Sequence, residues 1–146
     1  MQFNKRWMLV ALIFASLQLS ACGQTQSATT KIQPSKVEKV DGSDFNRVTL
    51  TEKAAQRLDI KTAQINEEQV NGAQRKVIPY AAVVYGLKGE TWAYTNPAPL
   101  TFVRQAITID YIDGDKVVLM DGPASGTAVV TVGVPELYGT DTGIGK

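Results

Sequence analysis

Few side chains in this chain are equipped for chemistry. Cys22 is the only cysteine, and the 146 residues include no histidine. A serine or cysteine nucleophile therefore lacks its usual base, and a lone thiol has no second cysteine to pair with. Asp141-Thr142-Gly143 has the three letters of an aspartic-protease loop. Those enzymes press two such loops together so that two carboxylates share one proton, and this chain carries one. Set among glycines, it reads as part of a polar tail. Gly143-Ile144-Gly145-Lys146 lacks the glycine spacing and the following Ser or Thr of a phosphate loop. Asp110, Asp113 and Asp115 lack the later glycine and the bidentate glutamate of a calcium loop, so they read as solvated carboxylates at a hairpin tip. Ser125 lacks the preceding glycine of an esterase elbow. No catalytic constellation, no metal site and no cofactor are expected.

Cys22 is better explained by its surroundings. Asn4, Lys5 and Arg6 form a short positive segment, and Trp7 to Leu17 is almost wholly apolar. That is the head and apolar run of a secretory signal, too short to span a bilayer stably. Leu19-Ser20-Ala21-Cys22 follows and resembles a bacterial lipobox. The resemblance implies cleavage between Ala21 and Cys22 and a covalent lipid on the thiol. The competing reading is a plain secreted chain with a stray thiol, and it leaves the agreement of head, apolar run, box and polar follower unexplained. Each buried CH₂ of an acyl chain adds ~0.8 kcal/mol, so several chains anchor lastingly. Gly23 stands where an aspartate favours inner-membrane retention in enterobacterial-type sorting, so the expected address is the envelope, outer membrane over inner.

Residues 1–21 are thus expected to leave as a signal peptide, taking Lys5 and Arg6 with them. The 15 basic residues then fall to 13 against 14 acidic ones, a net charge near −1. No basic surface for nucleic acid is expected from that balance. The remaining 125 residues suit one domain with a modest core.

Residues 22–44 are polar and read as a flexible tether. A β domain is expected over 45–139 and a flexible tail over 140–146. Within the domain, "NRVTL" reads as a strand, and Thr51 caps a short helix carrying Ala54, Ala55 and Leu58 on one face and ending near Asp59. "IKTAQI" is a strand, and "NEEQVNGAQRK" a loop or frayed strand. Strands and turns fill the rest. Pro79 implies an edge or a bulge, Trp92 and Tyr94 share a face, "PAPL" interrupts, Ile107, Ile109 and Tyr111 share a face, and Asp113-Gly114 makes a hairpin turn. "VPELYGTDTGIGK" is a tail or short helix. The expected core is Val48, Leu50, Leu58, Ile60, Val77, Val83, Trp92, Tyr94, Phe102, Ile107, Ile109, Val118, Leu119, Val129, Val130 and Val132. The fold class is mainly β, a small partly open barrel or sandwich with one short helix.

Two stretches resemble periplasmic adaptor subunits, or membrane fusion proteins, of RND-type efflux pumps. "RVTLTEKAAQRLDIKTAQI" is similar to the strand–helix–strand ahead of their lipoyl region, where a glycine often stands at the position of Asp59. Residues 77–139 resemble their membrane-proximal domain, through Val77-Ile78-Pro79, Trp92-Ala93-Tyr94, Phe102-Val103-Arg104 and Val129 to Gly133. Only ten residues separate Ile65 from Lys76, which leaves no room for a lipoyl domain or a helical hairpin. The resemblance therefore implies a fold and a neighbourhood: a lipid-anchored, non-catalytic binding protein docking on an efflux transporter or other envelope protein. The alternative is a stand-alone ligand-binding or structural lipoprotein, and an enzyme ranks last. The residues expected to meet a partner are Trp92, Pro97, Pro99, Leu100 and Arg104, because a proline-stiffened apolar loop loses little entropy on docking.

Overall fold

The computed structural model describes residues 33–144. The signal segment, Ala21, Cys22 and the first part of the expected tether lie outside the described residues.

The domain is mainly β, with two sheets and no closed barrel. The larger sheet holds β1 (Ser35–Lys39), β2 (Asn46–Leu50), β3 (Lys61–Gln64), β6 (Val83–Tyr85), β7 (Thr91–Ala98), β8 (Thr101–Ala106) and β11 (Ala128–Val132). Its order is β1-β2-β8-β7-β11-β3, with β6 also on β7. The smaller sheet runs β4-β5-β10-β9, from β4 (Asn66–Val70), β5 (Ala73–Pro79), β10 (Lys116–Asp121) and β9 (Thr108–Asp113). Every described pairing is antiparallel.

Single apolar residues carry the chain between sheets. Ile65 separates β3 from β4, and Ile107 separates β8 from β9; both are buried. The larger sheet holds their backbones in place. Ile65 N–H donates to Thr127 O at 2.9 Å, and Ile107 N–H to Thr91 O at 3.0 Å. Ile65, Ile78, Ala93, Ile107, Val117, Leu119 and Val129 fill the space between the sheets.

The opposite face of the larger sheet is covered by two helices. The sequence predicts α1 (Glu52–Arg57), and its cap is Thr51, whose hydroxyl accepts from Ala54 N–H at 3.2 Å. Asp59 follows in the left-handed region (φ 48), a conformation costly for most side chains but tolerated by aspartate. The second helix, α2 (Val134–Thr142), starts at Gly133 and carries a proline in its first turn. Gly133 has φ 85, a left-handed conformation that favours glycine, and a Cβ there would press on the end of the Ile60 side chain. Val48, Leu50, Tyr94, Phe102, Val130, Val134 and Leu137 pack this side.

Several expectations are corrected. The tether over 22–44 is too long, because Ser35–Lys39 forms β1 and pairs residue for residue with β2. The flexible tail over 140–146 starts too early, because α2 runs to Thr142 and buries Asp141. Residues 66–75 form most of a β-hairpin, with Asn71 (φ 51) and Gly72 (φ 83) at its turn. An Asn-Gly pair is the side-chain signature of that turn type. Pro79 ends an inner strand instead of lying at an edge. The "PAPL" break is late, since β7 runs to Ala98. Val132 is exposed because β11 shifts register after Val130. Val83, Leu58, Ile60, Trp92 and Ile109 are half-buried around the core. A register shift in β9 likewise sets Tyr111 opposite Val118, away from the face of Ile109.

Candidate functional site

The densest meeting of polar groups lies under α2. It joins β2, β7, β8 and the C-terminal turn of α2. Asp141 is buried there despite its charge. Tyr94 Oη donates to its Oδ2 at 2.7 Å, and Asn46 Nδ2 donates to its Oδ1 at 2.8 Å. The same Asn46 amide donates to Asp141 O at 3.1 Å, holding the end of the helix as well as its side chain. Arg104 Nε stands 3.2 Å from Oδ2. Its N–H is not aligned for a hydrogen bond and has no other protein acceptor, so the contact is an ion pair. The guanidinium is boxed by Trp92, Phe45 and Tyr138, with ring centres 4.6, 5.2 and 5.6 Å away. Stacking on three rings favours the cation where water is scarce.

Local sequence explains how these groups arrive. Alternation along β7 sends Trp92 and Tyr94 to the helical side and Ala93 to the other sheet. Arg104 lies opposite Tyr94 in the β7–β8 ladder, so the two reach the same carboxylate. Burial first, then the hydrogen bond to Asp141, raise the Tyr94 phenol well above its ordinary range, so it remains a neutral donor. The cluster thus fastens α2 to three strands, and nothing in it is poised as a nucleophile.

The residues expected to meet a partner fall into two groups. Trp92 and Arg104 belong to this cluster, and Arg104 is not a surface residue: its side chain is only 12% exposed. Its guanidinium is held between Asp141 and the three rings. Pro97 and Pro99 are exposed at the other end of β7, and Leu100 is half-buried. Leu100 takes φ 58, a strained conformation for a bulky residue, and its carbonyl accepts from Leu50 N–H at 2.9 Å.

The other motifs are surface features. Asp110 ion-pairs with Arg75. Asp113 lies opposite Lys116 in the backbone register of the hairpin, and the Lys116 ammonium lies 2.9 Å from Glu68. Ser125 Oγ donates to Glu67 at 2.7 Å. Among the described residues no three acidic or cysteine side chains converge on a metal position.

Sequence reading missed a groove of about 650 Å³ between the β6–β7 turn and β9, lined by Tyr85, Glu90, Trp92, Ala106, Ile109 and Ile112. Its signal was the apolar pattern of "TIDYID" on a strand that turns out to be an edge. Comparisons of this chain with family models, with curated proteins and with solved structures found no match.

Proposed function

We propose that this chain is a lipid-anchored, non-catalytic protein of the cell envelope whose β domain docks on a transporter or another envelope protein. The observation that carries the anchor is the order of positive segment, apolar run and Leu19-Ser20-Ala21-Cys22. The docking half draws support from the resemblance to efflux adaptors and from apolar side chains left at the surface, Tyr80, Tyr85, Leu87 and Ile112 among them. With a β-hairpin where full adaptors carry a lipoyl and helical-hairpin insertion, the domain offers a docking body without the long reach. The groove beside β9 favours one further reading, a stand-alone ligand-binding lipoprotein.

Metabolic labelling with an alkynyl fatty acid tests the anchor. The chain should take up label, and Cys22→Ser should lose it and accumulate as precursor. Undiminished labelling of that variant would refute the proposal.

A further inference from the structure

We propose that the free edge of β9, with the groove beside it, takes up an extended apolar and basic segment of a partner polypeptide as a fifth strand of the smaller sheet. This deepens the docking reading above and rests on it for the existence of a partner.

β9 is the outer strand of its sheet and pairs with β10 on one side only. An unpaired edge offers a row of backbone donors and acceptors, and apolar edges invite another strand. The sheet's opposite edge, β4, reads Asn-Glu-Glu-Gln-Val and is mostly polar. β9 instead carries Ile109, Tyr111 and Ile112, the last two exposed. Beside it the groove adds Tyr85 and Trp92. Leu87, at the tip of the turn that walls the groove, is fully exposed. A strand laid along β9 would gain backbone pairing from the edge and bury alternate side chains in the groove.

Charge selects among occupants. Arg75 neutralises Asp110, but among the described residues Asp113, Asp115 and Glu90 have no ion pair. A second copy of β9, Thr-Ile-Asp-Tyr-Ile-Asp, brings no basic side chain to answer them. A segment alternating apolar and basic residues answers both groove and rim.

The test is amide hydrogen exchange on the full-length chain in detergent, with the peptide acetyl-Lys-Val-Lys-Val-Lys-Val-Lys-amide at about 1 mM. Exchange over 108–113 should slow about tenfold. A block peptide of the same composition should give no such slowing, and Asp113→Asn with Asp115→Asn should reduce the effect. Equal protection by the block peptide, protection at 97–101 instead, or no protection would overturn the proposal. So would protection of 108–113 that rises with protein concentration without peptide, the mark of a second copy. Fatty-acid labelling of Cys22 is scored separately, so failure of the anchor and failure of this edge are distinguishable.

Discussion

The two faces of β7 reach burial by different routes. Toward the smaller sheet, Ala93 joins an apolar cluster with Ile78, Val117 and Leu119. Toward the helices, Tyr94 is equally buried but ends on a carboxylate, which also holds Asn46 and faces Arg104. An apolar layer weakens in proportion to the surface removed, at roughly 0.8 kcal/mol per CH₂. A polar cluster fails in steps, because removing one partner strands the others away from water.

That difference can be broken at its centre. Asp141→Ala leaves Arg104 without its counter-ion and two donors without an acceptor. It should cost ~3–5 kcal/mol in urea denaturation. A loss below about 1 kcal/mol would mean that water replaces the carboxylate and the fastening role is wrong. On the apolar face, Leu119→Ala should cost ~2–4 kcal/mol through lost burial and the cavity left behind. Because Leu119, in the smaller sheet, and Asp141, in α2, lie on opposite sides of the larger sheet, the double variant should be additive within about 0.5 kcal/mol. A larger coupling would show the faces to be one unit.

Tyr94→Phe sharpens the comparison, since it keeps the ring and removes one donor. We expect a loss of ~1–2 kcal/mol at neutral pH. The sign with pH follows from the raised phenol pKa. Unfolded tyrosine ionises near pH 10, whereas folded Tyr94 stays neutral, so its contribution is complete below about pH 10 and falls as pH rises further. Tyr94→Phe should flatten that alkaline decline in thermal melts, and an unaltered slope would place its cause elsewhere. The smallest effect belongs to the exposed pair: Lys116→Ala should leave the thermal melt nearly unchanged, because solvent screens its contact with Glu68.

Much of the strand pattern was legible from local alternation. Val48 and Leu50, and Tyr94 and Phe102, are buried where side-chain period and type place them. The short helix was legible from Thr51 and its following glutamate. Where the reading failed, information lay far along the chain or in a turn passed over. Asp141 looked like a tail residue because its partners Asn46 and Tyr94 are 95 and 47 positions away. Pro135 near a helix start and Gly143 at its end were the local signs of α2. Asn71-Gly72 is the local sign of the hairpin in the stretch that reads as a loop or frayed strand. The exposure of Val132 and the outward turn of Tyr111 follow from register shifts, which periodicity cannot see because one extra residue flips every later side chain.

The corner residues Ile65 and Ile107 have a consequence for how the domain comes apart. Each is the sole residue between a strand of one sheet and a strand of the other, with its backbone bonded to the larger sheet and its side chain between the two. Peeling off the smaller sheet would pull both isoleucines out and cut into β3 and β8. The layers should therefore share a single melting transition, with far-UV and near-UV circular dichroism melting together, and neither should fold as a separate half.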